Sequence, residues 1–223
     1  MLSTKIVTST QKELLLNAGV HLVAYDAIKI ERFQDYTAKK VYNHLIFTSQ
    51  NAVRFFFESV APLINDNDLL KKKCFCVGQK TKALLESKQM VIMENAENAL
   101  ALANHILENY SDRSFSFFCG NLYRNELPDT LKNNQIVFNQ HILYQTSSNV
   151  KKFNRTFDGI LFFSPSGVQS FVSENSMDKA IAFCIGKTTA VEAEKYTSRI
   201  VIANKPTVEN VIVQAVKYSK NLA

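Results

Sequence analysis

The sequence predicts an α/β protein made of two similar domains, each with a parallel sheet covered by helices. The first observation is an internal repeat, because segment 46–56 reappears at 161–171 and segment 75–81 reappears at 183–189. Each copy is an apolar run that ends in small hydroxyl residues or glycine and then becomes amphipathic. This pattern is typical of a buried parallel strand that leads into a helix. The second observation is the alternation of apolar runs and amphipathic stretches along the chain, which indicates a flavodoxin-like or Rossmann-like topology.

The individual elements follow from these patterns. A strand is predicted at 5–8, and the helix after it, at 11–17, ends before Gly19, a residue that readily takes the left-handed conformation following a helix. The helix at 51–60 presents one apolar face and ends before Pro62. The remaining predicted strands are 20–24, 45–48, 74–77, 91–93, 115–119, 159–163, 181–185 and 199–202. The remaining predicted helices are the end of a short one at 38–42, then 80–86, 97–109, 125–132, 167–173, 189–196 and 207–219.

Two long extended runs, at 22–32 and 136–146, predict how the domains are divided. Neither run shows the pattern of a helix that returns to the same sheet. We therefore expect two linker strands, at about 27–35 and 140–147. Domain 1 is then discontinuous, with residues 1–33 and 147–223, and domain 2 is inserted as residues 36–143. The alternative is two contiguous domains that divide near residue 111.

Composition limits the class of protein. Hydrophobic residues make up 46% of the 223 residues, as in an ordinary globular chain. The net charge of +6 favours acidic partners but is too small to indicate nucleic-acid binding. The sequence contains no apolar run of membrane-spanning length, so we expect no membrane association. Its four cysteines lack the spacing of a zinc site, which predicts no metal and a reduced, cytoplasmic protein.

Four predicted strand-to-helix turns carry residues suited to binding anions. Free backbone N–H groups at a helix start attract carboxylate or phosphate, and hydroxyl side chains add further donors. Any one turn is explained equally well by ordinary helix capping. Two matched pairs at the carboxyl ends of strands favour a ligand site, because such folds bind ligands there. The candidate residues are Thr48, Ser49, Asn51, Gly78, Lys80, Thr81, Ser164, Ser166, Gly167, Gly186, Lys187, Thr188 and Thr189.

Two further residues are candidates outside these turns. Arg124 follows a predicted strand and could bind a carboxylate with two parallel hydrogen bonds. Tyr144, on the second linker strand, is either a packing residue or a phenol that faces a cleft. Neither nucleotide-binding glycine motif is present, and the four histidines are scattered. An enzyme of this sequence would therefore use few proton-transfer groups.

Six segments in order along the chain resemble uroporphyrinogen-III synthase. They are 47–53, 77–81, 119–128, 144–146, 163–168 and 185–190. The resemblance implies a HemD-like fold, with two α/β domains joined by a two-stranded linker and an active site between them. It also implies that hydroxymethylbilane, a linear tetrapyrrole with eight carboxylates, is the substrate, and that the product is uroporphyrinogen III.

The resemblance implies a role for each candidate residue. The turn residues and Arg124 would bind the substrate, and Tyr144 would assist departure of the hydroxyl group. A monomer without cofactor or metal is expected, working in porphyrin biosynthesis. Two alternatives remain open: a non-catalytic two-domain binder of a small anion, and an α/β enzyme that uses a nucleotide or sugar phosphate.

Overall fold

The computed structural model describes residues 1–33 and 40–220, and the chain divides into two compact units. Unit 1 comprises Met1–Lys29 and Ser147–Ala223, and unit 2 comprises Ile30–Thr146. The division into domain 1 (residues 1–33 and 147–223) and domain 2 (residues 36–143) stays a prediction. Its boundary at residue 36, and the end of the first predicted linker strand, lie outside the described residues.

Strands and helices alternate along both units. The strands in chain order are β1 (Leu2–Ser3), β2 (Val23–Ala24), β3 (Ile28–Arg32), β4 (His44–Phe47), β5 (Lys73–Val77), β6 (Val91–Ala96), β7 (Ser114–Gly120), β8 (Val137–Ser148), β9 (Gly159–Phe162), β10 (Ile181–Cys184) and β11 (Ile200–Ile202). The helices are α1 (Ser9–Leu16), α2 (Gln50–Ser59), α3 (Asp66–Leu70), α4 (Gln79–Ser87), α5 (Ala99–Asn109), α6 (Glu126–Asn133), α7 (Pro165–Val172), α8 (Lys187–Ala193) and α9 (Val208–Lys220). A short 3₁₀ helix, Ala61–Leu63, follows α2.

Unit 1 contains a parallel five-stranded sheet in the order β11-β10-β9-β1-β2. Successive residues of a strand point to opposite faces, and β9 shows this directly. Ile160 and Phe162 pack with α7 and α8 on one face, whereas Leu161 packs with α1 and α9 on the other. Because both faces are buried, β9 reads as a continuous apolar run in the sequence.

Unit 2 contains a six-stranded sheet in the order β3-β8-β7-β4-β5-β6. The pairs from β8 to β6 are parallel. Phe47 of β4 packs with α2 and α4 on one face, and Ile46 packs with α5 and α6 on the other. At the edge of the sheet, the Phe33 amide donates to the Leu143 carbonyl of β8 at 2.9 Å. The predicted α/β class with parallel sheets is confirmed.

The two sheets have the same spatial order but a different chain order. Unit 1 reads β11-β10-β9-β1-β2, and unit 2 reads β6-β5-β4-β7-β8 with β3 added outside. The repeated segments, β4-α2 with β9-α7 and β5-α4 with β10-α8, therefore occupy matching places. The flanking strand-helix-strand comes first along the chain in unit 1 (β1-α1-β2) and last in unit 2 (β7-α6-β8).

Three local predictions are wrong. The first strand is Leu2–Ser3 instead of 5–8, because Ile6 is 62% exposed and the Thr8 hydroxyl caps α1 by accepting from the Gln11 amide. Residues 40–42 are not helical, and residues 38–39 lie outside the described part of the chain. The sequence pattern also missed α3, a short helix capped by Asn65 in which no residue is fully buried.

Candidate functional site

Tyr144 lies in β8 where this strand pairs with the end of β7 in unit 2. The pairing shifts register between Cys119 and Gly120, which places Gly120 opposite Tyr144. A Cβ atom on Gly120 would lie under 3.0 Å from three ring carbons of Tyr144, so a larger residue there would displace the ring. The ring also stacks on Phe55 of α2, with a centroid distance of 5.3 Å and an interplanar angle of 20°. The phenol is therefore held between the end of a strand and a helix.

Asn121 holds the backbone on either side of this phenol. Its amide donates to the Tyr144 carbonyl at 3.0 Å. Its side-chain oxygen accepts from the Thr146 amide at 2.8 Å, and its side-chain nitrogen donates to the Thr146 carbonyl at 3.3 Å. These three hydrogen bonds fix the end of β8 against the turn after β7.

The Tyr144 hydroxyl contacts the start of α2. Ser49 is the N-cap of this helix, in extended conformation, and its Oγ accepts from the Ala52 amide at 3.1 Å. The same Oγ lies 3.0 Å from the phenolic oxygen of Tyr144. Burial raises the pKa of Tyr144, while the hydrogen bond with Ser49 lowers it. A phenol with a raised pKa keeps its proton at neutral pH and can donate it to a ligand.

The turn after β5 lies at the same edge of the unit 2 sheet, since β4 and β5 are parallel neighbours. Gly78 is the N-cap of α4 with φ of +83° and ψ of 146°, a conformation available essentially to glycine. Lys80 is exposed at this helix start, whereas Thr81 is only 5% exposed. Thr48 and Asn51, which flank the Ser49 turn, are half-buried.

Arg124 belongs to the segment between β7 and α6 in unit 2. Its side chain is exposed, and Leu122 beside it is 64% exposed. Among the described residues, the ion pairs of the structure do not include Arg124. This guanidinium is therefore available to an anionic ligand.

Unit 1 presents the matching pair of turns at the carboxyl ends of β9 and β10. Ser164 is the extended N-cap of α7, and its Oγ accepts from the Gly167 amide at 3.0 Å. Gly167 lies close to Thr4, since a Cβ there would be 3.5 Å from the Thr4 hydroxyl oxygen. Gly186 is the N-cap of α8 with an extended backbone, φ −175° and ψ 177°, that any residue can adopt. Of the other candidates, Ser166 is half-buried, Lys187 and Thr188 are exposed, and Thr189 is only 1% exposed.

The structure thus brings Ser49 and Tyr144 into direct contact and places the other predicted residues of each unit at the carboxyl edge of its own sheet. What each binds stays a prediction. The sequence pattern predicts no binding or catalytic role for Phe55, Gly120 or Asn121, although segment 119–128 is one of the six that carry the resemblance. Within the described parts of the chain, no cluster of three metal-ligating side chains occurs. No described helix has the length and apolar character needed to cross a membrane.

A cavity of about 1680 Å³ lies at the opposite edge of the unit 1 sheet. The starts of the strands line it, with Val23, Ile160 and Ile181 among its residues. Parallel α/β sheets bind ligands at the carboxyl ends of their strands. For this reason we place the candidate site at the turns and not in this cavity.

Comparison with known sequences identifies the relatives of the chain. The family model described as uroporphyrinogen-III synthase HemD matches residues 9–212. The porphyrin biosynthesis protein HemD of Ruminiclostridium josui is 27% identical over 190 residues, which cover 77% of this chain and 37% of that protein. The chain thus spans well under half the length of this curated relative.

Solved structures share the fold. The uroporphyrinogen-III synthetase of Helicobacter pylori superposes with a TM-score of 0.72 at 16% identity, covering 97% of this chain and 98% of that chain. A mutant uroporphyrinogen III synthase of Thermus thermophilus superposes with a TM-score of 0.68 at 11% identity, covering 100% of this chain and 98% of that chain. At these identities the likeness concerns the fold alone.

Proposed function

Because this chain belongs to the uroporphyrinogen-III synthase HemD family, we propose that it converts hydroxymethylbilane into uroporphyrinogen III. The linear tetrapyrrole is closed into a ring with inversion of its last pyrrole and loss of water, as a step in porphyrin biosynthesis. The observation that carries the proposal at the site is the Tyr144 phenol, held at the start of α2 with its hydroxyl against Ser49.

The chemistry requires few acid and base groups. Departure of the hydroxyl group leaves a cation that the adjacent pyrrole stabilises, so the bond breaks easily. Tyr144 assists by donating its proton to the departing oxygen. The uncatalysed reaction closes the chain without inverting the last ring. The task of the protein is therefore to hold the chain in the geometry that leads to inversion, which is catalysis by positioning.

The substrate carboxylates are bound by the helix starts. Free N–H groups at α2, α4 and α7, with the hydroxyls of Thr48 and Ser164, supply hydrogen-bond donors. Arg124 and Lys80 in unit 2 and Lys187 in unit 1 add positive charge from exposed positions. Eight carboxylates need many such contacts, and this need explains why the donors are repeated in both units.

We further propose that the protein acts as a monomer in the cytoplasm, without cofactor or metal. Its four cysteines are free and buried, as expected in a reducing compartment. Burial raises the pKa of the Cys76 thiol to about 11 and that of Cys119 to about 11, so these thiols are unreactive at neutral pH.

The decisive experiment is to supply the purified chain with hydroxymethylbilane and determine which isomer forms, alongside a sample without enzyme. We expect the type III isomer at a rate far above that of spontaneous closure. Type I product alone, at the spontaneous rate, would refute the proposal. If hydroxymethylbilane also raised the thermal midpoint of that inactive protein, the chain would be a binder and not an enzyme.

A further inference from the structure

The hydroxyl of Ser49 has two partners, and one of them is a backbone donor. Its oxygen accepts from the Ala52 amide at 3.1 Å, and the phenolic oxygen of Tyr144 lies 3.0 Å away. A backbone N–H can only donate, so the bond to Ala52 leaves the hydroxyl proton of Ser49 free. That proton can be donated to Tyr144, which leaves the proton of the phenol free for a ligand.

The position of Ser49 at a helix start also places Tyr144 near a partial positive charge. As N-cap of α2, it lies at the positive end of a ten-residue helix. A chain of donors that runs from the Ala52 amide through Ser49 to Tyr144 strengthens each hydrogen bond in the same direction. Negative charge that develops on the phenolic oxygen would be stabilised by both the Ser49 hydroxyl and the helix.

We propose that Ser49 is a positioning residue for Tyr144, whose hydroxyl donates to the phenolic oxygen and directs the phenol proton toward the substrate. This role differs from the carboxylate binding that the sequence pattern predicts for Ser49. It rests on the proposed function, since Tyr144 acts as an acid only in that reaction. The direction of the donor chain does not depend on the reaction.

Proton transfer begins at the hydroxymethyl group of the substrate. The carbon–oxygen bond of the substrate hydroxymethyl group breaks, and its electron pair stays with the oxygen. The Tyr144 proton joins that oxygen, and water leaves. The resulting phenolate accepts a hydrogen bond from Ser49. The cation bonds to the substituted carbon of the last pyrrole, and the bond from that carbon to the preceding methylene bridge breaks. The bridge then bonds to the unsubstituted carbon of the same pyrrole, which loses its hydrogen. The phenolate takes up that proton, so the enzyme returns to its starting state.

The titratable neighbourhood of Tyr144 is consistent with this role. Burial raises its pKa, the hydrogen bond with Ser49 lowers it, and the Cys119 thiol raises it. Cys119 itself stays neutral at pH 7, because burial raises its pKa to about 11. Removal of the Ser49 hydroxyl should therefore raise the pKa of Tyr144.

The test measures the ionisation of Tyr144 directly. The full chain is labelled with 3-fluorotyrosine and titrated by ¹⁹F NMR, with the Tyr144 resonance identified by its loss in Tyr144→Phe. Fluorine lowers the pKa of a phenol, which brings the titration to a lower pH. Ser49→Ala removes the donor. Asn98→Ala is the matched control, because Asn98 caps α5 in the same unit through the Ala101 amide at 2.9 Å and is outside the candidate site.

We expect the pKa of Tyr144 to rise in Ser49→Ala, to stay unchanged in Asn98→Ala, and to be restored in Ser49→Thr, which keeps both hydroxyl and cap. In the synthase assay, Ser49→Ala should lower kcat about tenfold, the effect of one hydrogen bond, with KM unchanged. Equal pKa values in Ser49→Ala and Asn98→Ala would overturn the proposal, as would a change in KM with kcat intact. A shifted pKa in a chain without synthase activity would support the Ser49–Tyr144 pairing and refute the proposed function instead.

Discussion

The two units share one architecture, but a tyrosine hydroxyl contacts the N-cap of α2 in unit 2, whereas the described hydrogen bonds of the Ser164 hydroxyl, the N-cap of α7 in unit 1, include no tyrosine. Ser49 and Ser164 occupy matching positions, both as extended N-caps that accept from the amide three residues on. Six residues further along each helix the copies differ. Phe55 stacks on Tyr144, whereas the matching Ser170 is buried and its hydroxyl has no hydrogen-bond partner among the described residues.

The second pair of turns differs in backbone conformation. Gly78 has φ of +83°, and the matching Gly186 is extended at φ −175°. The repeat therefore preserved the strand-to-helix turns that present N–H groups, while the surroundings of each turn changed. In our proposal, anion binding belongs to both units and proton transfer belongs to unit 2 alone.

Removal of the phenolic hydroxyl of Tyr144 is expected to have the largest effect. We expect Tyr144→Phe to lower kcat about 100-fold, the range of a lost general acid, while KM changes little. Steady-state kinetics with hydroxymethylbilane measure both constants. The ring keeps its stacking on Phe55, so the fold should persist. An unchanged rate would remove Tyr144 from the mechanism and make the two units equivalent.

The next largest effect is expected at Gly120, which packs closely against the Tyr144 ring. A Cβ at this position overlaps the Tyr144 ring, which cannot move freely between β7 and α2. We expect Gly120→Ala to lower the free energy of unfolding by about 2 kcal/mol, as in other overpacked sites. Urea denaturation measures this change. Full stability in the variant would mean that the ring is not held as described.

Gly78 and Gly186 occupy matching turns in the two units, so the same glycine-to-alanine substitution can be made in each. Alanine at either site meets no atom within 4 Å, so only the backbone conformation distinguishes them. We expect Gly78→Ala to lower the free energy of unfolding by about 1–2 kcal/mol more than Gly186→Ala, because alanine is strained at the positive φ of Gly78. Equal losses in urea titrations would contradict this difference.

The smallest effects are expected from single hydroxyls of the shared turns. Thr81→Ala, Ser164→Ala and Thr189→Ala should each lower kcat/KM by about three- to tenfold, the effect of one hydrogen bond, since backbone donors remain in place. Circular dichroism would establish that each variant is folded. Complete loss of activity in any one of them would mean that binding is concentrated at that turn and not shared.

The local elements could be predicted because their signals are local. Buried parallel strands are apolar runs, and each of the matched turns follows one of them with small residues. The family resemblance, carried by six ordered segments, is confirmed by the family match over residues 9–212. The first strand was misplaced because two-residue strands such as β1 and β2 carry little periodicity.

The sequence by itself determined the α/β class, the repeat and the positions of the strand-to-helix turns, because each depends on residues close together in the chain. Only the tertiary structure decided which residues of those turns meet. Ser49 and Tyr144 are 95 residues apart, and their contact depends on β7 lying between β4 and β8. The register shift at Gly120 then sets where the ring lies. Side-chain contacts across a sheet follow from strand order and register, which no single segment of the sequence encodes.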